Sequence, residues 1–331
     1  MKVLIIGLGS MGKRRIRCLQ RLGINEIYGF DTRLDRSREV FDKYKINLVD
    51  DYSIFLEKKI INAAIISTSP ESHMYYAFEL MRKNIPCFIE ASVTDSHLIK
   101  QLSEEIKDTP LIVAPSCTMK YFKGPKLIKK LIKDKIIGDP IYMNYQTGQY
   151  LPDWHPWEDI NDFYVSNKIT GGCREIVPFE LTWINSIFGE PSPINSIIKN
   201  TKNLKIDIDD YYQFNLNYPN NLIANITIEV ISRPLALREF RLSGSDGQLL
   251  YSQDENCVRY AEKTQKKWIT FSLDDGDAEP GYINPETPYI EEIKDFLNAV
   301  NNQEPRLFPN TLEKDYEVLS LLNQLEKISL K

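Results

Sequence analysis

Residues 2–12 read Lys2-Val-Leu-Ile-Ile-Gly7-Leu-Gly9-Ser-Met-Gly12, an apolar strand that runs into a G-x-G-x-x-G turn and then into a helix. Each glycine has its own use in this pattern. Gly7 permits the tight turn, Gly9 lets the backbone approach a pyrophosphate, and Gly12 allows the helix to pack closely on the strand. The helix N-terminus then faces the phosphates. The stretch therefore predicts a Rossmann-type domain that binds a dinucleotide.

The second predicted strand ends in a carboxylate, Asp31, about 20 residues beyond the glycines. A carboxylate in this position can accept hydrogen bonds from the adenosine ribose hydroxyls, which favours NAD. Arg33 is close enough in sequence to pair with a 2′-phosphate instead, so NADP stays open. The predicted cofactor-binding residues of this region are Gly7, Gly9, Ser10, Met11, Gly12, Asp31 and Arg33.

The first 120 residues alternate short apolar runs with amphipathic stretches, which is typical of strand and helix units around a parallel sheet. The pattern predicts strands at 2–6, 26–30, 62–66, 86–89 and 111–114. It predicts helices at 11–22, 36–44, 52–57, 73–83, 95–107 and 124–135. The order indicates an α/β fold with a doubly wound parallel sheet.

The pattern changes after Asp139-Pro140 to longer alternating segments rich in Tyr, Ile, Asn and Thr. They predict one open, mainly antiparallel sheet with strands at 141–149, 194–200, 211–218, 222–231, 239–243 and 248–251. Helices are predicted at 179–188, 289–301 and 311–327. We therefore predict a Rossmann domain over residues 1–120 and an α+β domain over 121–331, whose last helices can pack back on the first domain.

Bulk composition excludes several classes of protein. The length of 331 residues suits two domains, and the net charge of -5 gives no basic excess that would attract nucleic acid. No apolar run approaches the roughly 20 residues of a membrane helix, and no secretory segment is evident, so we predict no membrane partner and a cytoplasmic location. The five cysteines are scattered without a C-x-x-C, which predicts neither disulfides nor a metal site.

With the glycine loop and Asp31, the segment Ser67-Thr-Ser-Pro-Glu-Ser-His73 makes the chain resemble the glucose-fructose oxidoreductase and inositol dehydrogenase family, called Gfo/Idh/MocA, over nearly its whole length. In that family a T-P-x-x-x-H segment lies along the cofactor, which implies cofactor contacts for Thr68 and His73. The usual Glu-Lys-Pro triplet reads Glu90-Ala91-Ser92 here, and Glu90 carries over as a cofactor-binding residue. The resemblance also implies dimers or tetramers built through the C-terminal sheet.

Two later segments extend the resemblance. Residues 142–159 look like a subgroup associated with bacterial surface-sugar pathways, and residues 171–191 resemble the glycine-led helix that enters the family's active site. The resemblance implies hydride transfer between NAD(P) and a sugar-type small molecule. A sugar, a nucleotide sugar or a sugar acid would each fit.

The family's proton-transfer groups are missing. Its lysine is replaced by Ala91, its active-site histidine by Phe179 and the following aspartate by Thr182. Because oxidation of an alcohol needs a group to take the hydroxyl proton, we look for a replacement in segments that the resemblance places near the substrate. The candidate catalytic residues are His155, Lys120, Tyr150 and Glu175.

Each candidate also has a structural interpretation. His155 can be hydrogen-bonded within its Trp-rich loop, Lys120 can anchor a carboxylate or phosphate, and Tyr150 and Glu175 can be packing residues. The predicted function is therefore an NAD(P)-dependent oxidoreductase with altered acid/base residues. Two alternatives stay open: an epimerase or elimination-type enzyme that retains its cofactor, and a non-catalytic NAD(P)-binding sensor or partner subunit.

Overall fold

The computed structural model describes residues 1–58, 60–154, 159–265 and 267–330. The chain divides into two compact units, Met1–Thr118 with Glu286–Tyr316, and Met119–Pro285 with Glu317–Lys331. Each unit has its own sheet and its own buried core. The predicted fold class is confirmed: the first sheet is parallel with helices around it, and the second is mainly antiparallel.

Strands and helices are numbered along the chain. The strands are β1 (Lys2–Ile6), β2 (Glu26–Phe30), β3 (Asn47–Leu48), β4 (Ala63–Ile66), β5 (Cys87–Ile89), β6 (Val113–Pro115), β7 (Pro140–Gly148), β8 (Ser192–Lys199), β9 (Tyr211–Asn217), β10 (Ile223–Glu229), β11 (Leu237–Gly244), β12 (Gly247–Ser252), β13 (Cys257–Glu262), β14 (Ile269–Ser272) and β15 (Ser329–Leu330). The α-helices are α1 (Ser10–Arg21), α2 (Leu34–Tyr44), α3 (Tyr52–Glu57), α4 (His73–Arg82), α5 (Ser96–Ile106), α6 (Lys123–Lys133), α7 (Cys173–Phe188), α8 (Thr287–Asn302) and α9 (Leu312–Ile328).

The sheet of the first unit has the order β3-β2-β1-β4-β5-β6, and every neighbouring pair is parallel. This is the strand order of dinucleotide-binding Rossmann folds. Its central strands β1 and β4 are almost wholly apolar and buried, as expected for parallel strands that have helices on both faces. The order reverses between β1 and β4, so the crevice at the carboxyl ends of these two strands is the expected ligand position.

The sheet of the second unit has the order β14-β13-β12-β11-β7-β10-β9-β8-β15 among the described residues. The pairs β7–β10 and β8–β15 are parallel, and the other pairs are antiparallel. Along β7 the side chains alternate, with Met143 and Tyr145 buried and Tyr142 and Asn144 exposed. The buried face packs on α7, where the rings of Tyr145 and Trp183 lie 5.8 Å apart. On the other face, which we call the open face, the side chains of Tyr142, Asn144 and Ile223 are exposed.

Several short elements escape sequence prediction. Strands β3 and β15 have two residues each, too few to show an alternating pattern, and β13 and β14 are partly exposed. All five cysteines are buried and free. Within the described ranges, no helix combines the length and apolar character that crossing a membrane would require.

Candidate functional site

The glycine loop has the geometry that a dinucleotide requires. Gly7 has φ +91, and a Cβ there would lie 2.6 Å from the Ser67 backbone. A Cβ on Gly12 would lie 2.0 Å from the Gly7 carbonyl oxygen, so any side chain would push α1 away from the turn. Gly9 is the N-cap of α1, which places the first amides of the helix, at Ser10 and Met11, at the carboxyl end of β1. Such amides form an anion site, and the loop therefore fits a pyrophosphate.

Asp31 is held against this loop. Its Oδ2 accepts a hydrogen bond from the Leu8 amide at 2.7 Å, and its Oδ1 accepts one from the Arg33 amide at 2.8 Å. A carboxylate has about four acceptor positions. Both oxygens can therefore accept a further hydrogen bond, and the position at the end of β2 fits the ribose of an adenosine.

The Arg33 side chain is engaged on the surface. Its Nη2 lies 2.6 Å from Asp35 Oδ2, and both side chains are more than half exposed. Hydrogen bonding from Arg33 lowers the pKa of Asp35 to about 2. The Arg33 guanidinium therefore pairs with a neighbouring carboxylate, and its contact with the cofactor stays a prediction.

Arg36 is a candidate that sequence reasoning missed. Its Nη1 lies 3.5 Å from the position that a Cβ on Gly9 would take, which places the guanidinium over the glycine loop. Within the described ranges its side chain has no hydrogen-bond or ion-pair partner. The sequence signal was its place in the first turns of α2, one helical turn beyond Arg33.

Thr68 and His73 follow β4 and act together. His73 is 2% exposed, and its Nε2 donates a hydrogen bond to the Thr68 carbonyl oxygen at 3.0 Å. Burial lowers the pKa of His73, which keeps the imidazole neutral. A Cβ on Gly7 would lie 2.7 Å from the Thr68 amide nitrogen. Thr68 is therefore placed directly beside the glycine turn, and the hydrogen bond from His73 holds the Thr68 backbone there.

Glu90, at the end of β5, is bound to a buried arginine. Arg15 Nε and Nη2 donate to the two Glu90 oxygens at 2.6 and 2.8 Å. The same Nη2 donates to Glu292 Oε2 at 3.0 Å. Glu292 also accepts from Ser116 Oγ, the Cys117 amide and Thr118 Oγ1 at 2.6–3.0 Å. We call Arg15, Glu90 and Glu292 the buried ionic cluster; it joins the helix after the glycine loop to the ends of β5 and β6.

A second group of residues lies at one edge of the large sheet. Strands β7 and β10 are parallel neighbours, so their carboxyl ends meet there. Beyond these ends Tyr150 and Ile231 form an isolated β-bridge. Helix α7 begins at the same edge, because Cys173 Sγ donates to the Ile228 carbonyl oxygen at 3.4 Å. This edge therefore brings two of the predicted catalytic residues, Tyr150 and Glu175, into one region of the second unit.

Glu175 lies in the first turn of α7 and has a shielded carboxyl group. Its Oε1 accepts a hydrogen bond from the Tyr164 hydroxyl at 2.8 Å, and its Oε2 is buried and has no hydrogen-bond partner in the described part of the chain. Burial raises the pKa of Glu175 to about 7, while the hydrogen bond from Tyr164 opposes this shift. A carboxyl with this pKa can both accept and donate a proton near neutral pH.

The other predicted residues fall differently. Lys120 lies in the short turn Thr118–Tyr121, and Tyr150 contacts Arg233. His155 lies outside the described residues. At the positions of the missing family groups, Phe179 is partly buried on α7, and Thr182 Oγ1 donates to the Pro178 carbonyl oxygen at 2.7 Å. The Thr182 hydroxyl therefore donates its hydrogen bond within α7.

Sequence comparison agrees with this geometry. The model of the oxidoreductase family with an NAD-binding Rossmann fold matches residues 1–115, and the model of the GFO/IDH/MocA C-terminal domain matches residues 126–250. Together with the glycine loop, these matches define an NAD-binding oxidoreductase. The chain belongs to the Gfo/Idh/MocA family. Among curated proteins, none matches the sequence.

Solved structures share the fold over the whole chain. An oxidoreductase from Agrobacterium radiobacter in complex with NAD+, L-tartaric acid and magnesium has a TM-score of 0.85 at 12% identity, covering 99% of this chain and 96% of that one. A levoglucosan dehydrogenase in complex with NADH and levoglucosan has a TM-score of 0.83 at 15% identity, with coverages of 99% and 97%. UDP-N-acetylglucosamine 3-dehydrogenase from Acidithiobacillus ferrooxidans has a TM-score of 0.78 at 16% identity, with coverages of 99% and 97%. At these identities the likeness establishes the fold.

Proposed function

We propose that this protein oxidises or reduces a hydroxyl-bearing carbon of a sugar, nucleotide sugar or sugar acid in the cytoplasm, within bacterial surface-glycan biosynthesis. In this proposal residues 1–120 bind the cofactor and residues 121–331 bind the substrate. Glu175 replaces the family's missing lysine and histidine as the proton-transfer group. The observation that carries the proposal is the buried, half-satisfied Glu175 carboxyl with a pKa of about 7.

The cofactor residues divide the binding work. The amides of Ser10, Met11 and Gly12 at the start of α1 would hold the pyrophosphate, and Asp31 would hold the adenosine ribose. When bound, the nicotinamide supplies the hydride acceptor or donor for the reaction. The protein side chains then have to supply one further chemical step, which is the transfer of the hydroxyl proton.

Glu175 suits that task in both directions. As a carboxylate it can take the hydroxyl proton at Oε2, which bonds to no other group of the described residues, while Tyr164 keeps Oε1 in place. As a carboxylic acid it can return the proton to a carbonyl oxygen during reduction. Its raised pKa lies close to neutral pH, where a general acid or base is most effective.

The comparisons support the substrate class. Relatives of the same fold include a dehydrogenase crystallised with levoglucosan and a UDP-N-acetylglucosamine 3-dehydrogenase. The test is a screen for NAD or NADP reduction over sugars, nucleotide sugars and sugar acids, followed by the absorbance of the reduced nicotinamide. Turnover with at least one member of these classes is the expected result. If the protein binds the cofactor yet turns over none of them, the proposal is wrong; firmly retained NAD(H) would then indicate an internal redox cycle.

We expect Arg36→Met to weaken NAD binding by roughly tenfold, because Arg36 lies at Gly9, where the backbone approaches the pyrophosphate. NADP has the same pyrophosphate, so it should lose the same factor. Titration of each cofactor by calorimetry measures both constants. Arg38→Met, an exposed arginine of the same helix, is the control and should change neither. A loss confined to NADP would mean that Arg36 contacts the 2′-phosphate and would contradict this assignment.

We also propose that the protein forms a homodimer or homotetramer through the open face of the large sheet. Tyr142 and Ile223 are paired neighbours on this face and are 44% and 49% exposed. An asparagine row crosses it, in which Asn225 donates to Asn215 and Asn215 to Asn195, both at 2.9 Å. The exposed apolar side chains can be buried between two subunits, and the asparagines beside them already have hydrogen-bond partners within the sheet. This combination suits an interface between two copies of the chain.

Ile223→Lys should therefore shift the protein toward monomer, because it places a charge in the middle of the proposed interface. Light scattering after size-exclusion chromatography measures the mass in solution. Ile54→Lys is a matched control, since Ile54 is 62% exposed on α3 of the first unit. A wild-type monomer, or an oligomer that both variants leave intact, would show that this face is not the interface.

A further inference from the structure

Arg233 follows the end of β10 on a turn that the protein holds firmly. Glu229, the last residue of β10, is 5% exposed, and its Oε2 accepts hydrogen bonds from the Ile231 and Ser232 amides at 2.7 and 2.9 Å. Its Oε1 accepts from the Ser232 hydroxyl. Ile231 in turn forms the β-bridge with Tyr150. The backbone that carries Arg233 is therefore fixed from two sides, although its side chain is exposed.

The guanidinium of Arg233 is stacked on Tyr150. Its carbon Cζ lies 4.9 Å from the centroid of the Tyr150 ring, and Nη1 donates to the Tyr150 hydroxyl at 3.3 Å. A guanidinium has five N–H donors. Within the described ranges this bond to Tyr150 is its one hydrogen bond, so the other donors have no protein acceptor. Stacking holds the planar group in one orientation and leaves its edge available.

No carboxylate among the described residues neutralises Arg233. Glu229 is the nearest in sequence, but its two oxygens are occupied by the amides and hydroxyl of the same turn. Two other arginines of the second unit are paired with carboxylates, Arg174 with Glu326 at 2.7 Å and Arg238 with Glu180 at 2.7 Å. Arg233 is thus an oriented positive charge without a carboxylate partner among the described residues, at the sheet edge where α7 begins.

We propose that Arg233, positioned by Tyr150, binds an oxyanion group of the substrate: the carboxylate of a sugar acid or a phosphate of a nucleotide sugar. Both groups are planar or forked acceptors that match the N–H edge of a guanidinium. This inference rests on the proposed function, because it assigns a charge to the sugar-type substrate of the same site. It also makes Tyr150 a positioning residue for Arg233, in place of the catalytic role expected from the sequence.

The test compares charged and neutral probes by calorimetric titration of the protein saturated with NAD. The pairs are D-glucuronate with D-glucose, and UDP-N-acetylglucosamine with N-acetylglucosamine. We expect the wild-type protein to bind at least one charged probe at least tenfold more tightly than its neutral partner. Arg233→Met should remove roughly 10- to 100-fold of that affinity, and Arg233→Lys should keep part of it, since lysine restores the charge without the fork.

A matched control is Arg306→Met, which removes an exposed arginine of the first unit that has no partner among the described residues. It should leave every probe unchanged. If Arg233→Met loses affinity for D-glucuronate alone, the site binds carboxylates. If it loses affinity for UDP-N-acetylglucosamine alone, the site binds phosphates. The proposal is overturned if the wild-type protein prefers neither charged probe, or if Arg233→Met binds both as the wild type does.

These outcomes are separate from those of the proposed function. Turnover of a neutral sugar, with no preference for the charged probes, would refute the oxyanion site and leave the oxidoreductase proposal intact. The protein could instead bind a charged probe through Arg233 and yet reduce no cofactor with any sugar. That result would support the oxyanion site and refute the oxidoreductase proposal.

Discussion

Glu175→Gln is expected to lower kcat by about 10²- to 10⁴-fold, the usual contribution of a positioned general base or acid. Glutamine has nearly the same shape and its amide oxygen can still accept the hydrogen bond that Tyr164 donates. It has no group that can take a proton, however. Substrate binding should therefore change little, and the loss should appear in kcat rather than in KM. Steady-state kinetics on the substrate found by the screen measure both.

The pH profile should identify the group. Because burial raises the pKa of Glu175 to about 7, the carboxylate form increases as the pH rises through 7. The rate of alcohol oxidation should rise over that range, while the rate of the reverse reduction, which needs the acid form, should fall. Both limbs should disappear in Glu175→Gln. Glu105→Gln, an exposed glutamate of α5, is the control and should keep the wild-type profile.

The raised pKa of Glu175 also makes the free energy of unfolding depend on pH. The pKa of Glu175 in the folded protein lies above its ordinary value of 4.5, so the folded protein binds the proton more tightly than the unfolded chain. The free energy of unfolding should therefore decrease as the pH rises from about 4.5 to about 7, and Glu175→Gln should lack this component. If Glu175→Gln retains most of the wild-type kcat and the wild-type pH profile, Glu175 is not the proton-transfer group. His155→Ala and Lys120→Ala would then be the next variants to measure.

The parts of the site that depend on local sequence were predictable. The glycine loop combines a strand, a turn and a helix within residues 2–12, and Asp31 follows at the spacing that the next strand requires. Local pattern also predicted that the first sheet is parallel and doubly wound, because alternating strands and helices leave few topologies. These features need no knowledge of distant contacts.

Features that depend on three-dimensional contacts were not predictable in the same way. Arg33 was the cation chosen from the sequence, yet the start of α2 brings Arg36 to Gly9 and leaves Arg33 with Asp35. Glu175 was a candidate only through the family resemblance, since its burial comes from the fold around the start of α7. Arg233 was not singled out at all, because its stacking partner Tyr150 lies 83 residues away.

The buried ionic cluster is the clearest of these long-range features, and it predicts the largest effect on stability. Arg15 and Glu292 have no exposed side-chain area, and Arg15 is separated from Glu90 by 75 residues and from Glu292 by 277. The guanidinium also lies 4.5 Å from the centroid of the Phe88 ring. Burial raises the pKa of Glu292, whereas the charge of Arg15 opposes that shift. Arg15 is therefore the cation that pairs with both buried carboxyl groups of the cluster.

Arg15→Met is expected to reduce the free energy of unfolding by about 3–5 kcal/mol, because it leaves two carboxylates buried without their cation. Arg21→Met, at an exposed position of the same helix, should change it by less than about 0.5 kcal/mol. Equilibrium denaturation with urea measures both. The defect should also depend on pH. Burial already raises the pKa of Glu292, and without the opposing charge of Arg15 it rises further above the unfolded value, so the variant should regain stability as the pH is lowered from neutral.

That pH dependence separates loss of charge from loss of packing. A cavity left by a shorter side chain destabilises a protein to a similar extent at every pH, whereas uncompensated carboxylates are relieved by protonation. The triple variant Arg15→Met/Glu90→Gln/Glu292→Gln should therefore be more stable at neutral pH than Arg15→Met alone. If Arg15→Met is as mild as Arg21→Met, or if its defect is constant between pH 5 and neutrality, the cluster does not hold α1 to the strand ends by charge.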